Sequence, residues 1–140
     1  MSKGDTFEND LLRLIFNAVA IPDLAEDDTT SPAVNLSVAL HTADPGEAGT
    51  QLTSEATYTG YARMNVARTS GGWTVTGNSV SPAANIDFPQ ATAGSETITH
   101  FSVGTGVADK ILYSGTVTPN IVVSNGVTPR LNTASAITED

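Results

Sequence analysis

Two histidines and a short run of carboxylates are the side chains of this sequence best equipped for chemistry. His41 is followed by Asp44 and Glu47 in the segment HTADPGE, and His100 lies far downstream. Imidazole and carboxylate together can ligate a metal or move a proton. The spacing argues against both uses. Ligand pairs on one element follow tighter repeats such as H-x-x-x-H. A metal at His41, Asp44 and Glu47 would also need His100, which approaches only if the two strands bearing the histidines pair. As acid and base of a glycosidase, Asp44 and Glu47 would need a set separation and stacking aromatics, and only Tyr58 and Tyr61 lie near in sequence. A turn accounts for this segment more simply. Asp44 accepts a hydrogen bond from its own turn, Pro45 suits the second position, and Gly46 permits the φ required. His41 then reads as a partly buried imidazole satisfied by a backbone carbonyl, or as a rim residue.

Other chemistries find less support. No G-x-S-x-G elbow occurs, and no phosphate-binding G-x-x-x-x-G-K-[ST] loop. Gly104-Thr105-Gly106 is too short to be a dinucleotide fingerprint. The acidic run Glu26-Asp27-Asp28 lacks the glycine and distal glutamate of a calcium loop. The expectation is a protein that is not an enzyme and has no catalytic residue, metal or cofactor.

Composition narrows the class. The chain has 140 residues, enough for one sizeable core. Aromatic residues make up only 6 %, so that core must rest on Val, Ile, Leu and Ala. The formal net charge is −9, the wrong sign for a nucleic-acid surface. Acids crowd the first third, whereas Arg63, Arg68, Lys110 and Arg130 come later. That asymmetry would let the acidic N-terminal region of one subunit meet the β-region of another. Cysteine is absent, which excludes disulfides and thiolate sites and suits assembly in a reducing cytoplasm. No apolar run is long enough to insert in a membrane, and the N-terminal residues lack the pattern of a secretory signal.

The positioning elements follow from periodicity. Residues 1–22 predict a helix: Asp5 and Glu8 fit a capping box, Phe7, Leu11 and Ile15 share one face, and Pro22 ends it. That face either covers the β core or docks on a neighbouring subunit. Residues 23–33 read as an acidic linker. From residue 34 the period changes to two. Leu36, Val38 and Leu40 mark a half-buried strand. Residues 61–68 and 73–76 read as a hairpin across Gly71-Gly72. Further short strands follow near residues 80, 84–88, 97–103, 110–114 and 121–123, with an edge strand in the tail. One helix followed by seven to nine short strands predicts a mainly β fold, an antiparallel β-sandwich of jelly-roll type forming one domain over 34–140. Neither heptads nor repeats are present, so the chain reads as a compact module rather than an elongated shaft.

Recognition surfaces favour loops between strands. His41, Asp44, Glu47, Tyr58 and Tyr61 on the 41–61 loop are therefore candidate interface residues, together with Phe7, Leu11 and Ile15 on the helix. Arg63 and Arg68 near Trp73 add cation–π and interface-anchor chemistry, unless Trp73 is core and the arginines lie outside it.

The blocks LHTADPGEAGTQ, YTGYARMNVAR, GGWTVTGNSVSPAANIDFP, THFSVGTG, ILYSGTVTP and SNGVTPRL, in that order, resemble a family of small phage proteins known as tail-fibre proteins. The resemblance implies a virion structural protein and brings no catalytic or cofactor residues. It implies contacts with copies of itself and with other phage virion proteins of the tail, neck or capsid, without nucleic acid or membrane. A tail- or neck/collar-associated module is the leading expectation. Capsid decoration and a receptor- or glycan-binding module are the alternatives.

Overall fold

The computed structural model describes residues 5–21 and 33–139. The linker acids Asp23, Glu26, Asp27 and Asp28 fall outside the described residues, as do Pro22 and the side chains of Asp5 and Phe7. The capping box and the first interface position of the helix are thus beyond description. The fold is mainly β, with antiparallel sheets and one N-terminal helix, as the sequence predicts.

Backbone proximity divides the chain into two compact units. One comprises residues 1–35, 67–85 and 132–140. It holds helix α1 (Asp5–Asn17) and strands β3 (Trp73–Thr76), β4 (Ser79–Pro82) and β9 (Ile137–Thr138), in the sheet order β3-β4-β9. Leu12 and Phe16, four residues apart, point into one core with Trp73 and Val80. Phe16 meets Trp73 edge-on, with ring centroids 4.8 Å apart. Asn9 donates to Gly77 O (2.6 Å), tying the helix to the β3–β4 turn. The helix therefore covers a hairpin. Its buried residues are Glu8, Leu12 and Phe16, while Leu11 and Ile15 are half-buried beside them.

Helix α1 ends at Asn17, five residues before Pro22. Ala18 takes a left-handed φ of 55° and Val19 N–H returns to Arg13 O (3.1 Å). This reversal stops the helix before proline can. Arg68 reinforces it. Its guanidinium donates to the carbonyls of Leu14, Ile15 (2.6 Å) and Ala33 (3.3 Å). A cation on the exposed carbonyls of a helix end meets the negative pole of the helix dipole.

The second unit comprises residues 36–66 and 86–131. Its main sheet has the order β2-β1-β6-β7, from β1 (Asn35–His41), β2 (Met64–Ala67), β6 (Glu96–Gly104) and β7 (Ile111–Val123). A small sheet pairs β5 (Ile86–Asp87) with β8 (Arg130–Leu131). Leu36, Val38, Leu40, Ile98, Phe88, Val103 and Val123 form the core.

Three expectations change. Strand β1 is buried on both faces from Leu36 to His41 rather than half-buried, because the core takes Leu36, Val38 and Leu40 while the 51–53 segment covers the other side, where Gln51 bonds Ser37 O and Thr53 O meets His41. The hairpin across Gly71-Gly72 does not form. Strand β2 belongs with β1, and β3 pairs with β4 across Gly77-Asn78. Residues 61–63 are not strand, and Arg68 is drawn to the helix end instead. The separate strands at 110–114 and 121–123 are one strand, β7, with a cis Thr118–Pro119 bond inside it. Pro119 is tolerated because β7 is an edge strand, where a missing N–H breaks no ladder on the outer side.

Candidate functional site

The polar residues of the 41–63 region converge on the β1–β6 pair. Antiparallel register sets His41 opposite His100 and Ala39 opposite Ser102. The strand pairing that would bring the two histidines together is therefore present. His41, however, spends both ring nitrogens elsewhere. Nδ1 lies 2.8 Å from Thr53 O, and Nε2 lies 2.8 Å from Ser102 Oγ. A carbonyl only accepts, so Nδ1 carries the proton and Nε2 accepts from the serine hydroxyl. Gln51 Nε2 donates to Ser37 O (3.0 Å) and to Ser102 Oγ (3.3 Å). His41, Gln51 and Ser102 each have zero exposure. A serine–histidine contact at this distance has nucleophile–base geometry, but solvent does not reach either side chain. Among the described residues no cluster of histidines and carboxylates is arranged to hold a metal.

Arg63 braces the loop with two carboxylates. Arg63 forks onto Glu55, with Nε–Oε1 at 2.6 Å and Nη2–Oε2 at 2.8 Å. Its Nη1 reaches Asp109 Oδ1 at 2.6 Å and Gln51 Oε1 at 3.4 Å. The paired Glu55 carboxylate, and Asp109 after it, hold the guanidinium even more firmly protonated than usual. Tyr61 donates to Glu55 Oε1 (3.0 Å) and accepts from Leu40 N–H (3.1 Å). The Tyr61 ring stacks over Phe88 and meets Tyr58 edge-on. Burial pushes the Tyr61 phenol well above its usual range, and pushes Tyr58 up to about 12, with the charge of Glu96 adding to it. Backbone bonds from Thr42 to Ser54, Ala56 to Leu40 and Gln51 to Asp109 complete the clamp.

The candidate interface residues separate accordingly. Asp44 and Glu47 are exposed, and Asp44 Oδ1 accepts from Gly46 N–H (2.9 Å) in the expected turn. His41 and Tyr58 are buried within the subunit, so neither offers a surface to a partner. Tyr61, Arg63 and Arg68 are half-buried and committed to internal hydrogen bonds. Trp73 is core, and neither arginine stacks on it among the described ring contacts.

Sequence reasoning missed Gln51, Ser102 and Asp109, whose partners lie in other segments, and Glu55, whose partners Tyr61 and Arg63 follow six and eight residues on. It also underrated Gly104. A Cβ there would sit 2.3 Å from Lys110 O and 2.7 Å from the Gln51 side chain. Glycine is what lets the β6–β7 turn close over the buried amide.

The buried imidazole makes stability depend on pH. Burial, the largest influence, lowers the His41 pKa below 6.5. Glu55, Arg63 and His100 are the charged or titratable groups facing it. The unfolded chain binds a proton near 6.5 while the folded state resists it. Stability is therefore full above that pH and falls as pH drops below it toward the folded value. The urea midpoint should decline from neutral to mildly acidic pH, and the decline should be smaller in His41→Gln. Equal slopes in the two proteins would show that His41 is not responsible.

No curated protein matches the chain. The family model described as podophage GP4 fiber I protein gp80 matches residues 2–138. Matched over nearly its whole length, the chain belongs to the podophage GP4 fiber I protein gp80 family and is a phage fibre component of the virion.

Proposed function

We propose that this protein is a non-enzymatic, tail-associated fibre module that works by assembling with copies of itself and with other virion proteins. One observation carries this reading. Leu52 is 63 % exposed and Val107 is 69 % exposed, on two loops clamped together by the Gln51–Asp109 backbone bond and by Arg63. Large apolar side chains held out to water on a braced frame lose little entropy when a partner covers them. Asp44 and Glu47, exposed on the same loop as Leu52, add charge that selects orientation rather than strength.

The glycan-binding alternative loses its aromatic platform, since Tyr58 is buried and Tyr61 is occupied by Phe88 and Glu55. A tail position also implies a low copy number per particle, whereas capsid decoration implies the high count of a shell. Removing residues 1–22 is a poor test of assembly, because it strips the cover from Trp73 and Val80 and unfolds one unit. The double variant Leu52→Asp/Val107→Asp tests it better. Native mass spectrometry of the purified protein should show the oligomer lost, and particles should incorporate at least about tenfold less of it, with circular dichroism unchanged. An intact oligomer and normal incorporation would overturn the proposal.

A further inference from the structure

The loop that carries Leu52 is held from beneath by one titratable side chain. His41 donates from Nδ1 to Thr53 O (2.8 Å), the residue after Leu52, and its Nε2 accepts from Ser102 Oγ (2.8 Å). Gln51, the residue before Leu52, donates to that same Ser102 Oγ (3.3 Å) and to Ser37 O (3.0 Å). The Gln51 backbone N–H bonds Asp109 O (2.9 Å), on the turn that carries Val107. Both exposed apolar residues thus stand on a frame whose buried fastening uses the neutral form of one imidazole.

Protonation undoes that fastening by donor count. The neutral ring offers one N–H and one lone pair, and each has its match. The imidazolium has two N–H groups and no lone pair. Its bond to Thr53 survives, but Nε2 now points a hydrogen at Ser102 Oγ. The serine proton is expelled from the bond it fills, and its oxygen stands between two N–H donors. His41 is also fully buried, so the charge arrives without water. The facing groups do not relieve it. Arg63 and His100 oppose a positive charge, and Glu55, which favours one, is already forked by Arg63, with Asp109 on the same guanidinium. Swinging residues 51–55 away hydrates the ring but dismantles the frame under Leu52 and Val107. The strands beneath can stay, because β1 and β6 pair through their own backbones from Ser37–Gly104 to His41–His100.

We infer that His41 is a proton-operated catch: acid frees the 51–55 segment, unseats Leu52 and takes the assembled protein apart, and neutral pH restores it. The effect on assembly rests on the function proposed above, whereas the catch itself lies within the subunit. The released loop gives His41 its ordinary proton affinity, near pH 6.5, while the closed loop resists the proton. Closure is therefore favoured in full above that pH and loses ground as pH falls. For one such group, loop opening can rise at most about 25-fold between about pH 7 and about pH 5.

Amide protection factors, which correct for the intrinsic pH dependence of exchange, test this in the intact protein. Across residues 51–55 they should fall by up to about 25-fold over that interval, with far-ultraviolet circular dichroism unchanged. The nitrogen resonances of His41 should pass from the Nδ1–H tautomer to the doubly protonated ring as protection is lost. Sedimentation velocity should show the oligomer dissociating in acid and re-forming at neutral pH. In His41→Gln, whose amide supplies a donor and an acceptor but takes up no proton, protection should stay level with pH. Protection that is level in the wild type, that falls equally in His41→Gln, or that falls while the ring is still neutral overturns the inference. So does an oligomer that persists after the loop has opened. Leu52→Asp/Val107→Asp should lose protection in acid as the wild type does, and a level profile there also counts against the catch. A wild-type chain that is monomeric at neutral pH, with the loop still responding to acid, overturns the assembly reading instead.

Discussion

Trp73→Ala should lower folding stability by about 3–5 kcal/mol, the range for deleting a large buried aromatic. Trp73 is 2 % exposed and forms the floor on which Leu12 and Phe16 of α1 rest. Without it, the helix loses the apolar surface that justifies its position on β3 and β4. A helix of 13 residues has little stability of its own, so loss of docking and loss of helix should coincide. Urea unfolding followed by far-ultraviolet circular dichroism measures this directly, and a fall of under about 1 kcal/mol would contradict the packing described. Trp73→Phe is the informative control. It keeps most of the ring volume and removes an N–H that has no partner in the subunit. Its cost should be small, because deleting an unsatisfied donor offsets part of the lost volume.

The second large effect is expected at Arg63. Arg63→Ala should lower stability by about 3 kcal/mol, since breaking a largely buried pair strands the remaining charge. Glu55 is 14 % exposed and would keep only Tyr61 as a side-chain donor. Asp109, at 36 % exposed, is reached by solvent and contributes less. Arg63→Lys should recover only part of the loss, because an ammonium cannot fork across both Glu55 oxygens and reach Asp109. The double variant Arg63→Ala/Glu55→Gln should be less destabilised than Arg63→Ala alone, with the orphaned charge gone. Amide hydrogen exchange across residues 42–63 should accelerate in Arg63→Ala well before the rest of the sheet does. A loop that stays protected would show that the His41–Gln51–Ser102 network alone suffices.

These two residues show how far the sequence could be read. Arg63 and Trp73 were both conspicuous as residue types, and they lie ten positions apart in a segment rich in strand formers. Nearness in sequence allowed a contact between them, and the other reading set Trp73 in the core with the arginine outside it. Instead Trp73 found Phe16, and Arg63 found Glu55 and Asp109. Gly71-Gly72 looked like a hairpin turn, but the better turn was Gly77-Asn78, where Gly77 takes the positive φ. Strand β2 was then released to join β1. Arg68 met the same fate as Arg63, since the open carbonyls of a helix end offered more than an exposed strand face.

What the sequence determined by itself is local. Period-two runs made the fold mainly β, period-3.6 spacing made one helix, and Asp44-Pro45-Gly46 made its own turn. The ordered blocks marked the phage family, which the match over residues 2–138 establishes. The partners of the polar residues were decided only by the tertiary structure. Ser102 reaches His41 because β6 runs beside β1, and Asp109 reaches Arg63 because a glycine turn folds back over Gln51. A hydrogen bond or ion pair acts over a few ångströms, whereas its members here lie up to 68 residues apart along the chain. Periodicity carries no record of such pairs, so the sequence named the strands and left their chemistry to the pairing of the sheet.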